Sequence, residues 1–186
     1  GTVPVRLAMA GAHNGMNALA ASACAVSAGA PLDAVVAGLA EARNVPGRLR
    51  RVAARGRFAL YDDTYNANPG SVRAAIAFLG GLEGERWLVL GDMAELGPDS
   101  AAMHGEMGEA ARSAGISRLY CAGAHSREAA KAFGGNAQWR ESVDELAALV
   151  GGAARDGITV LVKGSRSMGM ERVVQALAAD GGQAGS

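Results

Sequence analysis

The sequence predicts an α/β fold built on a doubly wound, mostly parallel sheet, and three observations carry that expectation. Short apolar runs bounded by turn residues, such as "RWLVLGD" and "GITVLVKGS", have the pattern of strands buried on both faces. They alternate with stretches of helical apolar spacing, at roughly 25 to 35 residues per unit, as βαβ crossovers require. The polar clusters fall where the strands end, the rim at which open parallel sheets bind ligands.

Taken in order, the opening "VPVRLAMAG" reads as a strand that starts without Met, as an excised piece would. In the Ala-rich run that follows, Leu19, Ala23 and Val26 fall at helical spacing and are expected to pack closely against another element. Gly29 ends that helix, Pro31 opens the next, and Leu32, Val35, Val36 and Leu39 mark its face. "NVPGRLRRVAARG" breaks the pattern and places a domain boundary near Arg48 to Val52. Beyond it "RFALYDD" predicts a strand, and residues 71–79 a helix with Val72, Ala75, Ile76 and Leu79 on one face. "RWLVLGD" is a strand, and Met103, Met107, Ala110, Ala111 and Ala114 stripe the next helix. "ISRLYCAG", a helix near 125–133 and the short strand "AQWR" follow, then a helix faced by Val143, Leu146, Ala147 and Val150. "GITVLVKGS" is the last strand, and Met170, Val173, Val174 and Leu177 mark the last helix before a tail, "GGQAGS", expected to be mobile.

The 186 residues are enough for one well-buried domain plus a piece of another, with an apolar fraction of 49% and a charged fraction of 19%. The 18 basic and 18 acidic side chains cancel, so no net field gathers nucleic acid or an anionic membrane. No apolar run approaches the ~20 residues of a membrane helix. Cys24 and Cys121 lack zinc spacing and are expected to be reduced core residues. A cytoplasmic monomer is the expectation.

In "VLVKGSRSMGM", Lys163 and Arg166 supply charge and Ser165 and Ser167 supply hydroxyls at a helix start, a natural place for a carboxylate or phosphate. The alternative is a Ser-capped helix with solvated Lys and Arg. Asp92 and Glu95 in "LGDMAELG" suit a substrate ammonium or a metal, but Asp after a strand is also a routine turn residue. His104, beside the Met stripe, reads as a partly buried structural residue and His125 as a loop or cap residue. In "YDDTYNANPGS", turn and cap chemistry accounts for Asn66, Asn68, Pro69 and Ser71. It does not account for Asp62 and Asp63. Adjacent strand residues face opposite ways, so one carboxylate is expected beneath the loop and the other toward a ligand such as a ribose. His13, Asn14 and Asn17 gather at the first helix start, where Asn suits an adenine edge or a cap. Neither GxxxxGK[ST] nor GxGxxG occurs.

Together "HNGMNALAA", "GRL", "DDTYNANPGS", "LGDMAELG", "GEAARSAGI" and "VKGSRSMGMERVV" resemble the Mur ligases in order and spacing over nearly the whole chain. The "DDTYNANP" and "KGSRS" forms are most similar to the members that join D-alanyl-D-alanine to the UDP-N-acetylmuramoyl-tripeptide during peptidoglycan synthesis. The resemblance implies three domains, of which residues 1–48 are the helical tail of the central P-loop ATPase domain and 49–186 the C-terminal Rossmann-like domain. It implies ATP and Mg2+ as cofactors, with the P-loop, the Mg2+ ligands, the modified lysine and the nucleotide-sugar domain outside this stretch. ATP phosphorylates the tripeptide carboxylate, and the dipeptide amine displaces phosphate from the acyl phosphate. No catalytic residue and no metal ligand are expected here, and the stretch alone is expected to bind nucleotide weakly and not turn over.

By the same resemblance, Asn17 contacts adenine, Arg48 and Asp63 the ribose side of ATP, and Asn66 the nucleotide. Tyr65 and Asn68 lie at the junction with the acceptor. Ser165, with Lys163 and Arg166, meets the dipeptide carboxylate, and Asp92 and Glu95 lie beside the incoming amine. The rival expectations are another Mur-like or folylpolyglutamate-type ligase, which "DDTYNANP" and "KGSRS" disfavour, and a non-catalytic Rossmann-like binding domain.

Overall fold

The buried runs of the sequence form the strands of a single six-stranded sheet in a computed structural model. It describes residues 2–9, 12–43 and 45–179, without the side chains of residues 12 and 13. By its contacts the chain divides into two compact units, Gly1–Val45 and Pro46–Ser186.

The first unit holds helices α1 (Ala12–Ser27) and α2 (Leu32–Glu41). Gly29, at φ +91°, takes the left-handed conformation that lets the chain reverse between them. Val35 is buried, but Leu19, Ala23 and Val26 are exposed, so the expected close packing of that stripe does not occur among the described residues. Cys24 is exposed and is not a core residue. Residues 2–9 form no strand, against the reading of "VPVRLAMAG", and the tail "GGQAGS" lies outside the described residues.

In the second unit the elements run β1 (Arg50–Val52), β2 (Ala59–Asp63), α3 (Pro69–Gly80), β3 (Glu85–Gly91), α4 (Ser100–Ser113), β4 (Arg118–Ala122) and α5 (Ser126–Phe133). Then come β5 (Ala137–Arg140), α6 (Val143–Ala153), β6 (Ile158–Lys163) and α7 (Glu171–Leu177). The spatial order is β1-β2-β6-β3-β4-β5. All neighbours are parallel except β1, which pairs antiparallel with β2 through Arg50 opposite Asp62. That edge strand lies inside "RLRRVAA", read from sequence only as a break, because its three residues are too few to show a period.

Helices α3, α4 and α5 lie on one face of the sheet and α6 and α7 on the other. Trp87, Val89, Val160 and Val162 join Leu146, Val150, Val173 and Leu177 in the core beneath α6 and α7. Strand alternation turns Leu88, Leu90 and Leu161 the opposite way, and all three are fully buried. Both faces are therefore dry, which is why these strands read as continuous apolar runs. Burial pushes the Cys121 thiol pKa upward, as expected of an inert core cysteine.

On α3, α6 and α7 the predicted face is the buried one, Val72, Ala75, Ile76 and Leu79 on α3 and Val143, Leu146, Ala147 and Val150 on α6, whereas of the predicted stripes only Val35 on α2 and Met107 and Ala111 on α4 are buried. α3 starts at Pro69 because Asn68 caps it, its side chain accepting from the Ser71 N–H at 2.8 Å while the Ser71 hydroxyl accepts from Asn68 N–H at 3.0 Å. α4 and α5 approach so closely that a Cβ on Gly108 would sit 2.1 Å from the Ala129 carbonyl oxygen. Gly108→Ala should therefore force the two helices apart, costing about 1–3 kcal/mol of overpacking against roughly 1 kcal/mol gained in helix propensity. Calorimetry is expected to show a lower melting temperature; an unchanged or raised one would mean that the helices separate freely.

Candidate functional site

Strands β2, β3, β4 and β6 all point their carboxyl ends at one rim, where the polar clusters of the sequence meet. At the end of β2, alternation sends Asp62 and Asp63 to opposite faces. Asp62 is buried and accepts from Gly47 N–H at 3.0 Å and from the Thr64 hydroxyl at 2.7 Å, with the Arg50 guanidinium 3.7 Å away. Asp63 accepts from Leu49 N–H at 3.0 Å and from the Lys163 ammonium at 2.7 Å. Tyr65 N–H closes the same turn onto the Gly47 carbonyl at 2.9 Å. Gly47 is needed there: its φ is +75°, and a Cβ would meet the Tyr65 nitrogen at 2.9 Å.

This zipper carries Arg48 over the Tyr65 ring, 4.3 Å from its centroid, with both residues exposed. It also holds Leu49, 2% exposed, at φ +49°, a conformation that costs a non-glycine residue about 1 kcal/mol or more. Sequence reasoning missed Gly47 and Leu49 as site supports because each acts through its backbone N–H on a carboxylate far along the chain, and Thr64 because a hydroxyl two residues from an Asp reads as ordinary turn chemistry.

Beyond Asp63 the loop turns outward. Asn66 is exposed, its side-chain oxygen accepting from Ala67 N–H at 2.9 Å and its carbonyl from Lys163 at 3.0 Å. With Tyr65 and Asn68 it forms one wall of an open cleft of about 630 Å³. Glu95 and Leu96 form a second wall and Ser165, Arg166 and Ser167 a third. Glu95 is exposed at φ +63°, a second strained position on the rim. Ser165 is buried, 2% exposed, and its hydroxyl lies 3.3 Å from that of Ser167. Arg166 is exposed.

Tyr65, Asn66, Asn68, Glu95, Ser165 and Arg166 are thus brought together. Asp92 is not on that cleft: it lines an adjoining hollow of about 280 Å³ with Met93, Ser100 and His125. Its carboxylate accepts from Ser126 N–H at 2.7 Å and His125 N–H at 3.2 Å, at the amino end of α5. Gly123 makes room, since a Cβ there would lie 2.5 Å from that carboxylate. Lys163 and Asp63 lie beneath the cleft, bonded to each other. Asn17 belongs to the other unit, exposed on α1 with its amide donating to the Asn14 side chain at 3.3 Å; the His13 side chain lies outside the described residues. Among the described residues no three His, Cys, Asp or Glu side chains converge into a metal site.

His104 braces the loop after β3. It is fully buried, where partial burial was expected, and its Nε2 accepts from Met93 N–H at 2.9 Å. The proton must then be on Nδ1, which donates to the Ser100 carbonyl at 2.7 Å. Burial drives its pKa below the usual value of 6.5, and neither the Ser100 carbonyl nor Asp92, 3.9 Å away, offsets that. A base whose folded pKa is depressed binds its proton first in the unfolded chain, so stability is full above the unfolded value and declines as pH falls below it. Unfolding free energy should fall from about pH 6.5 downward, more steeply than in His104→Gln; equal slopes in denaturant titrations from pH 7 to 5 would exclude a neutral, buried imidazole.

The rim belongs to a recognisable set of proteins. The family model described as Mur ligase, glutamate ligase domain, matches residues 47–166. The UDP-N-acetylmuramoyl-tripeptide--D-alanyl-D-alanine ligase of Escherichia coli (strain K12) is 46% identical over 97% of this chain and 40% of its own length. The ligase of the same name from Mycobacterium tuberculosis (strain ATCC 25618 / H37Rv) is 37% identical over 95% of this chain and 40% of its own. A MurF crystal structure from Acinetobacter baumannii aligns with a TM-score of 0.82 and 32% identity, covering 92% of this chain and 39% of that one. MurF from Thermotoga maritima in complex with ADP aligns at 0.77 and 27% identity, again over 92% and 39%. The chain spans about 40% of the length of the curated relatives it matches. On the match over residues 47–166, the chain belongs to the Mur ligase family.

Proposed function

We propose that this chain is the acceptor-side part of an ATP-dependent amide ligase that joins D-alanyl-D-alanine to the UDP-N-acetylmuramoyl-tripeptide, with residues 1–48 contributed by the neighbouring ATP-binding domain. The observation that carries the reading is the identity of 46% over 97% of the chain to a ligase of that name. The loops that make the reading specific, "DDTYNANP" and "KGSRS", are two walls of the rim cleft.

A dipeptide zwitterion needs an anionic and a cationic wall, and Glu95 and Arg166 supply them on different sides of the cleft. Glu95 holds the ammonium; Arg166, with the Ser165 and Ser167 hydroxyls, holds the carboxylate. The attacking amine must be neutral, and an ordinary α-amino pKa of about 8 leaves a useful fraction free near neutral pH. Positioning is therefore the larger contribution of these residues. ATP supplies the activation of the tripeptide carboxylate. On the nucleotide side Arg48, lifted on the Tyr65 ring, meets the ribose side and Asn66 lies between nucleotide and acceptor, while Asp63, bonded to Leu49 N–H and to Lys163 beneath them, holds both in place. The described residues offer no cluster for Mg2+, so no step of this reading runs through the metal, and its ligands are assigned to the ATP-binding domain.

The test is ADP release by the full-length protein containing this chain, with the tripeptide nucleotide and D-alanyl-D-alanine as substrates and L-alanyl-L-alanine as control. Release that requires the D,D-dipeptide is expected, and none from the isolated 186-residue chain. Release with D-glutamate or a diamino acid in place of the dipeptide, or with none of these amines, would reject the assignment. In the full-length protein, Glu95→Gln should raise the dipeptide KM about 5-fold, the weight of an exposed ion pair of about 1 kcal/mol, and leave the ATP KM in place; an unchanged dipeptide KM would remove Glu95 from the acceptor site.

A further inference from the structure

Lys163 ends β6, and its sequence context suggests an anion contact. Its surroundings point elsewhere. Its side chain is 3% exposed, and the ammonium bonds to Asp63 Oδ2 at 2.7 Å and to the Asn66 carbonyl at 3.0 Å. Reaching a ligand in the cleft would mean leaving Asp63, itself only 16% exposed, without its counter-charge. We propose that Lys163 is a positioning residue of the ligase reaction: it meets neither dipeptide nor nucleotide, and it fixes the nucleotide wall of the cleft relative to the acceptor wall. The proposal rests on the ligase reading above.

Three segments distant in sequence meet at this one ammonium. Through Asp63, whose other oxygen accepts from Leu49 N–H at 3.0 Å, it reaches the strained turn that carries Arg48. Through the Asn66 carbonyl it sets the loop that carries Tyr65, Asn66 and Asn68. Through its own backbone, in register with both Asp63 and Leu90, it leads within three residues to Ser165 and Arg166. An ammonium suits this position because its donors diverge and meet one carboxylate and one carbonyl at once.

The experiment compares Lys163→Met, Asp63→Asn and the double variant in the full-length ligase, reading KM for ATP and for D-alanyl-D-alanine separately together with thermal melting. Lys163→Met is expected to raise both KM values about tenfold, the effect of losing one charge-assisted hydrogen bond. The double variant should be no worse than Lys163→Met alone, because both changes break the same link. It leaves no unpaired buried charge, so it remains measurable if the single variant fails to fold. A rise in the dipeptide KM alone would make Lys163 a direct carboxylate contact, and a lower melting temperature with both KM values unchanged would make it purely structural; either result overturns the proposal. Failure of the wild-type protein to use D-alanyl-D-alanine would instead reject the ligase reading, and the two failures are separable.

Discussion

The rim depends on the alternation of two adjacent carboxylates at the end of β2. A strand sends neighbouring side chains to opposite faces, so Asp62 and Asp63 address different partners from one place. Asp62 gathers Gly47, Thr64 and Arg50, and Asp63 gathers Leu49 and Lys163. The 47–49 turn is thereby stitched to the strand end at two consecutive carboxylates, which keeps Leu49 in a backbone conformation it would otherwise leave. Without that stitching neither Arg48 nor the Asn66 loop has a fixed place.

The polar groups around the cleft divide by solvent exposure. Those turned inward, Asp62, Asp63, Lys163, Asp92 and His104, have their hydrogen bonds met by backbone and by each other. In so dry a place an unmatched group costs about 1–3 kcal/mol, more if charged, so their geometry is rigid. Those turned outward, Arg48, Asn66, Glu95 and Arg166, stand in water. Exposed charges contribute only about 0–1 kcal/mol to any one contact. Their attraction for a ligand grows once water is excluded and the local dielectric falls.

The loop after β3 follows the same rule. Asp92 is tied to the amino end of α5, and its carbonyl accepts from Ser165 N–H at 2.9 Å, joining this loop to the one after β6. His104 holds Met93 from below as a neutral imidazole. Glu95 sits between these two anchors and the open cleft, in a left-handed conformation fixed by its neighbours.

Most of the architecture was legible because local physics sets it. A strand buried on both faces must be apolar throughout, so β3, β4 and β6 could be read directly, and the faces of α3 and α6 followed from the 3.6-residue period. The edge strand β1 was illegible, since three residues carry no period and its pairing is set by Asp62 fifteen residues from Gly47. The stripe Leu19–Ala23–Val26 misled because helical spacing reports an apolar face and not what covers it. Composition and spacing also selected the rim and, on its cleft, Glu95, Ser165, Arg166 and Ser167, since helix starts and strand ends announce themselves through Gly, Pro, Asn and Ser, whereas Tyr65, Asn66 and Asn68 entered as ligand candidates only through the resemblance. What they left open was direction. Whether Asp62 or Asp63 lies deeper, whether Lys163 points at a ligand or at Asp63, and whether Asp92 is free or bonded to α5 are decided by contacts as many as 100 residues apart. Such contacts leave no periodic trace in a single chain, because an ion pair constrains two positions and says nothing of the residues between them.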